Sequence, residues 1–260
     1  MKSIYQKFAI GLAKDAGKII KKNFSHGMAK NWKGNDTPIT KTDIVINKLV
    51  IKSVKEVFAG YDILGEEESY LANKSDYIWV CDPVDGTIPF SHGVPTCVFS
   101  LALVFKGRPI AGVIYDPFMD RMFYGEKGKG AYLNGKKIHV SRQGLTNGLI
   151  NWESASCWMV EKAHPRCLVC RLDSFIYGGM LVASGEMTAS FYPWKYAHDG
   201  AALKIIVEEA GGKVMDMYGK EQRYDREIKG CLVTNQIVYK QLLKISKQVA
   251  AWKKRVKVRF

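Results

Sequence analysis

Two carboxylates, Asp82 and Asp85, stand three positions apart in the stretch YIWVCDPVDGT, directly after an apolar run. Neighbouring negative charges at the end of a buried strand repel one another unless a cation lies between them. Hard divalent cations take oxygen ligands, and Mg2+ combines a few carboxylates with waters and substrate phosphate oxygens. The turn therefore reads as a metal platform. Further acids stand where other elements meet loops: Asp43, Glu66 with Glu67, and Asp199. One acid in a helix's first turn is explained by the macrodipole alone. GEEE and DPVDGT in the same chain point instead to a divalent-metal centre.

Gly86 and Thr87 add an anion-binding half. A glycine lets the backbone approach a ligand, and a helix beginning at Thr87 presents free N–H groups to a phosphate. Pro89 then falls in the first helical turn, where its missing N–H has no intrahelical partner to lose. Metal beside phosphate suits ester hydrolysis. The ions acidify water, neutralise phosphate charge and stabilise the leaving alkoxide, while the protein positions the groups.

These residues need a scaffold. Residues 3–24 have helical periodicity, with Ile4, Phe8, Leu12, Ala16 and Ile19 on one face. NWKGNDTPIT reads as a loop, and a second helix starts near Thr42, its cap, with Asp43 in the first turn. YDIL and YIWVCDPV are strands. CVFSLALVF, PIAGVIYDP and RMFYGEKGKGAYLNGKKI form an antiparallel meander. Beyond a soft boundary at 143–148 come strands in GLINWES, TASFYP, KVMDM and CLVTN. Helices run through GMLVASGEM and DGAALKIIVEEAGG and from about Gln236. The order favours mixed, layered α/β packing in one compact unit with halves at 1–145 and 146–260.

The 260 residues are 47% hydrophobic, enough for a core, and no apolar run approaches the ~18 residues of a membrane helix. The start is amphipathic and carries Lys14 and Asp15 where a signal peptide would stay apolar, so a cytoplasmic location is expected. Six cysteines form no disulfide framework. CLVC (Cys167, Cys170) lacks a second ligand pair for zinc and reads as apolar strand. The net charge of +14 gathers partly in the terminal helices and attracts anionic partners, whether phosphorylated metabolites or nucleic acid.

GEEES, WVCDPVDGTIPFSHGVP, GVIYDPFMDRMFYGEKGKGAYLNGKKIHVS and DGAALKIIVEEAGGKV lie in the order of matching elements of the inositol monophosphatase superfamily of Mg2+-dependent, lithium-sensitive phosphatases. The chain resembles that superfamily over most of its length. The resemblance implies an αβαβα sandwich of the inositol monophosphatase and fructose-1,6-bisphosphatase type. It implies two or three Mg2+ ions, with Mn2+ as a substitute and Li+ as an inhibitor. By the same resemblance, Glu66, Asp82, Asp85, Asp199 and the Val84 carbonyl are metal ligands, and Glu67 is a neighbouring catalytic acid. Gly86 and Thr87 hold phosphate, and Asp43 pairs with Thr87 to activate water. The implied activity is phosphomonoester hydrolysis of a small metabolite by a homodimer without membrane insertion. Fructose bisphosphate, histidinol phosphate and phosphoadenosine phosphate are alternatives to inositol phosphate. An RNA- or protein-binding role through the basic ends is the alternative of another class.

The chain departs from the family pattern on the substrate side. Pro89 replaces an asparagine, His198 rather than tryptophan precedes Asp199, and Asp173 stands where a glycine is usual, beside Ser174. No acid precedes Asp199 in TASFYPWKYAH. The metal core is expected intact and inositol phosphate is expected not to be the best substrate. Arg171 and Lys33 are candidate contacts to an anionic substrate, and His92 is a candidate for the rim.

Overall fold

The computed structural model describes residues 2–34 and 38–256. In chain order its elements are α1 (Ile4–Asn23), β1 (Lys30–Trp32), β2 (Pro38–Thr40), α2 (Lys41–Val57), β3 (Asp62–Gly65), β4 (Tyr77–Asp85), α3 (Thr87–Ser91) and β5 (Val98–Phe105). Next come β6 (Arg108–Asp116), β7 (Arg121–Glu126), β8 (Gly130–Leu133), β9 (Lys136–Lys137), β10 (Leu149–Trp152), α4 (Cys157–Ala163), β11 (Leu168–Cys170) and α5 (Phe175–Ala183). The chain closes with β12 (Ala189–Tyr192), α6 (Ala197–Glu209), β13 (Lys213–Met215), β14 (Cys231–Thr234) and α7 (Tyr239–Val256).

A seven-stranded sheet runs in the order β3-β4-β5-β6-β7-β8-β9, antiparallel except for the β3–β4 pair. A five-stranded sheet runs β11-β10-β12-β14-β13. Its β10 pairs parallel with both β11 and β12. Three apolar layers bind these sheets into the expected αβαβα sandwich. Ala13, Ala16 and Ile20 of α1 and Ile46, Val50 and Val54 of α2 cover one face of the larger sheet around Trp79 and Leu101. Between the sheets, Ile176 and Met180 of α5 pack with Leu203, Ile206 and Val207 of α6. On the far face of the smaller sheet, Leu242 and Val249 of α7 meet Trp152 and Phe191. Strands buried on both faces, such as VFSLALVF, lack polar alternation for this reason.

Two glycines set how closely α6 approaches the larger sheet. A methyl on Gly112 of β6 would meet Ile205 Cγ2 at 2.8 Å and Ala202 Cα at 3.2 Å; one on Gly125 of β7 would meet Ile206 Cα at 3.1 Å. The helix that carries Asp199 therefore rests on a flat step in the sheet.

The structure corrects three local expectations. Helix α2 is capped by Thr40, not Thr42. The Thr40 hydroxyl accepts from Thr42 N at 3.2 Å, while Asp43 Oδ2 accepts from Thr40 N at 2.9 Å, closing a capping box. Half of the stretch read as a loop, residues 31–32 and 38–40, lies on the antiparallel pair β1 and β2; its residues 35–37 lie outside the described set. The helix at Thr87 is one turn long, and the last helix starts at Tyr239. All six cysteines are free thiols, and Cys170 sits on β11. Among the described residues, no helix is long and apolar enough to cross a membrane. Of the basic C-terminal run, residues 257–260 lie outside the described set.

Candidate active site

In a regular strand, residues three apart point to opposite faces. Asp82 and Asp85 escape this rule because β4 shifts register against β5 between them: Asp82 pairs with Ser100, and Asp85 pairs with Val98. The bulge turns both carboxylates toward one place. Asp82, Asp85 and Asp199 present oxygens that all lie within 4.8 Å of one another, and Glu66, Asp82 and His198 form a second such group. Asp82 belongs to both. Glu66 arrives just beyond β3, its backbone N–H donating to Cys81 O at 3.1 Å, and Asp199 arrives from the first turn of α6.

The carboxylates are held from behind. Asp82 Oδ1 accepts from Val84 N at 3.0 Å. Asp85 Oδ2 accepts from the Ser174 hydroxyl, from Ile176 N at 3.0 Å and from Tyr177 N at 3.3 Å. Asp85 thus serves as a remote cap for α5, which leaves its Oδ1 unspent. Asp199 Oδ2 is buried and finds no hydrogen-bond partner among the described residues.

Asp82, Asp85 and Asp199 stand close together and buried. Burial and neighbouring carboxylates push Asp82 and Asp199 well above the ordinary carboxylate value. Burial raises Asp85 to about 7, although the Ser174 and α5 amide hydrogen bonds pull the other way. Glu66 is the exception: against its burial, His198 and Lys33 hold it below the usual range. Lys33 Nζ donates to Glu66 Oε1 at 2.8 Å and to Glu67 Oε1 at 2.6 Å, yet Glu67 is raised to about 7 by burial and the Glu66 charge. An orphaned buried oxygen, mutual repulsion and an oxygen-rich donor set fit a hard divalent cation.

Behind this centre the two oxygens of Asp43 divide their work. Oδ2 serves the capping box, and Oδ1 accepts from Thr87 Oγ1 at 3.2 Å. Thr87 Oγ1 also lies 2.9 Å from Val84 O, so its single proton has two acceptors. Burial raises Asp43 to about 6. Gly86 links the bulge to α3 at φ 88°, and a methyl there would meet Thr96 O at 2.4 Å. Only glycine fits this step.

The centre opens into a cleft of about 740 Å³ lined by Glu66, Asp82, Val84, Asp85, Gly86, Thr87 and Asp199. Its other wall includes Asp173 and Arg171, which pair at 2.8 Å. Asp173 has φ 51°, a left-handed conformation that aspartate tolerates better than most residues and that glycine adopts freely. Ser174 does not line the cleft; it is buried, and its hydroxyl is spent on Asp85. Glu67 and Lys33 stand behind Glu66 rather than on the wall. His92 lies on the surface beside Lys30, with Nε2 3.0 Å from Lys30 Nζ.

Sequence reasoning missed several groups on these walls. Glu153, just past β10, is buried on the cleft, accepts from Leu172 N at 3.2 Å and is raised by its burial. It supplies an acid from a strand end, the same kind of place that drew attention to Asp85. Trp194, Lys195, Tyr196, Lys229 and Lys253 also line the cleft, and Tyr192 lies against Asp199. His198 was noticed only as an irregular neighbour of Asp199.

The Inositol monophosphatase family profile matches residues 1–251. The chain is 35% identical over 239 residues to inositol monophosphatase 1 of Solanum lycopersicum, covering 82% of this chain and 84% of that one. It is 31% identical over 222 residues to a fructose-1,6-bisphosphatase/inositol-1-monophosphatase of Thermotoga maritima, covering 81% and 83%. A solved IMPase of Thermotoga maritima superposes with a TM-score of 0.86 at 27% identity, over 94% of this chain and 97% of that one. With the profile spanning nearly the whole chain and its named relatives phosphoric monoester hydrolases, the chain is a member of the inositol monophosphatase family.

Proposed function

We propose that the chain is a Mg2+-dependent phosphomonoesterase acting on a small phosphorylated metabolite. The observation that carries this reading is the convergence of Asp82, Asp85 and Asp199 beside the Asp43–Thr87 pair. Glu66, Asp82, Asp85, Asp199 and the Val84 carbonyl would hold the ions, with Li+ as an inhibitor and Mn2+ as a substitute. Bound divalent ions supply neutralisation of phosphate charge, acidification of water and stabilisation of the leaving oxygen.

The chain's own groups do the rest. The backbone amides of Gly86 and Thr87 hold a phosphate oxygen. Asp43 Oδ1 draws the Thr87 proton toward itself, so that Thr87 Oγ1 takes a proton from the attacking water. Ser174 and the first turn of α5 keep Asp85 aimed. Glu67 ties Lys33 beside Glu66 and sets the charge around it. The tight Gly86 step keeps metal and phosphate ligands on one rigid segment, which limits the reorganisation needed at reaction.

On the substrate side, Arg171 and Asp173 are the contacts we assign, and inositol phosphate is not expected to be the best substrate. Glu153 places a carboxylate on the cleft from a different element than the family's usual acid. The test is a phosphate-release screen with Mg2+ against inositol monophosphate, fructose 1,6-bisphosphate, histidinol phosphate and phosphoadenosine phosphate. Release from one of the last three with the highest kcat/KM is the expected result. No divalent-dependent release from any would refute the phosphatase reading, and inositol monophosphate as the best would refute the substrate reading. The proposal includes a homodimer, checked by sedimentation.

A further inference from the structure

His198 and Asp199 are adjacent on the first turn of α6. Neighbours on a helix diverge by about 100°, so their side chains leave the helix in different directions. The structure agrees: Asp199 groups with Asp82 and Asp85, whereas His198 groups with Glu66 and Asp82, ligand atoms within 4.8 Å in each group. The His198 side chain is 12% exposed, and its Nε2 stands 3.9 Å from Asp199 Oδ1, beyond hydrogen-bond reach. Neither ring nitrogen forms a hydrogen bond among the described residues. The neutral imidazole therefore keeps a ring-nitrogen lone pair available to a ligand beside Glu66 and Asp82. Its ring lies nearly parallel to Tyr196, centroids 5.4 Å apart at 13°, which fixes its plane. The adjoining acid carries the orphaned oxygen Asp199 Oδ2.

We propose that His198 donates a ring nitrogen to the divalent ion held by Glu66 and Asp82. This makes that position a mixed nitrogen–oxygen site selective for a first-row ion such as Mn2+ over Mg2+. The reasoning is one of donor chemistry. Carboxylates alone suit Mg2+, Ca2+ and Mn2+, while imidazole favours transition metals. The position formed by Asp82, Asp85 and Asp199 has only oxygen donors and keeps its suitability for Mg2+. The two positions share Asp82 and so differ in ion preference within one centre. The inference rests on the acidic centre being the metal site proposed above.

The test reads the ion directly and needs no turnover. Metal-free protein is titrated with Mn2+ and followed by electron paramagnetic resonance, and the bound ion is then examined by pulsed methods for 14N coupling. The expected result is saturable Mn2+ binding with a 14N coupling that His198→Phe abolishes. His198→Phe should also weaken Mn2+ binding by about tenfold or more, with a much smaller change for Mg2+. His198→Gln provides a second variant that keeps a polar side chain and should likewise lose the coupling. Saturable Mn2+ binding without 14N coupling in the wild-type protein overturns the inference and leaves the phosphatase reading standing. A coupling that persists in both variants overturns it too. Absence of any saturable Mn2+ or Mg2+ binding would overturn the metal centre itself.

Discussion

The two walls of the cleft, a metal wall and a substrate wall on the reading proposed above, are held by different means. On the metal wall, Asp85 takes three donors from Ser174 and α5, Asp82 takes one from the Val84 amide, and Asp43 is clasped by Thr40 and Thr87. All are buried. On the substrate wall, Arg171 pairs with Asp173 at side-chain exposures of 53% and 43%, and Lys195 pairs with Glu227 at 59% and 71%. Exposed pairs of this kind contribute little to stability and re-pair readily. One wall is preorganised for a fixed chemistry, and the other can exchange an internal partner for an anionic group of a substrate.

The harshest way to break this comparison is to remove a metal-wall carboxylate. Asp85→Asn should lower kcat/KM on the order of 10⁴-fold, since a ligand worth several kcal/mol is lost, while the fold persists because an acceptor oxygen remains for α5. Near wild-type turnover at saturating Mg2+ would show that Asp85 is not a ligand. Ser174→Ala sharpens the point. It should weaken metal affinity by about 10–100-fold through loss of aim alone, measured by calorimetric titration. An unchanged affinity, with only KM for the substrate raised, would return Ser174 to the substrate wall.

Next comes the Asp43–Thr87 pair. Asp43→Asn and Thr87→Ala should each cut kcat by roughly 10²–10⁴-fold with KM nearly constant. The double variant should be no slower than the slower single one, because the two act as a unit. Asp43 also closes a capping box, but the Asn oxygen can still accept from Thr40 N, so Asp43→Asn, like Thr87→Ala, should change stability in chemical denaturation by well under about 1 kcal/mol. Additive losses in kcat would separate the two residues.

A gentler probe is pH. In the metal-free fold, Asp43 sits near 6 and Asp85 and Glu67 near 7, all raised above their ordinary values by burial. A raised carboxyl favours the folded state only while protonated. Its contribution is greatest below the unfolded pKa and is lost as pH climbs through the folded one. Metal binding requires the deprotonated forms. The rise in Tm produced by saturating Mg2+ should therefore be small at pH 5 and grow through pH 6–7 to a plateau near pH 8. A rise independent of pH would place the metal away from these acids. The smallest effect belongs to the substrate wall: Arg171→Gln should shift Tm hardly at all and raise KM a few-fold for the preferred substrate, leaving kcat in place.

Much of the metal wall was legible because its signals are local. DPVDGT and GEEE place acids, a turn glycine and a helix start within a few positions, and the long helices and double-buried strands announce themselves by period and composition. The capping residue of α2 was misplaced because Thr40 and Thr42 both precede the apolar run, and only the reach of Asp43 back to Thr40 N distinguishes them. The β1–β2 pair was missed because strands of only three residues leave no alternation to read. Glu153 and the donor role of Ser174 depend on contacts that join distant elements: 89 positions separate Ser174 from Asp85. Such partnerships belong to the packing of α5 and β10 and have no local signature.

The flat step under α6 has a consequence for how this chain can vary by descent. Gly112 and Gly125 are not among the residues that line the cleft, yet they set how closely α6, which carries Asp199, approaches the larger sheet. An added side chain at either position would press on α6, meeting Ile205 and Ala202 from Gly112 or Ile206 from Gly125, and displace the helix that carries Asp199, the ligand proposed above. On the proposed reading, lineages could rewrite the exposed wall and change substrates, while a mutation hidden in the middle of a sheet would act on every one of those activities through the placement of α6.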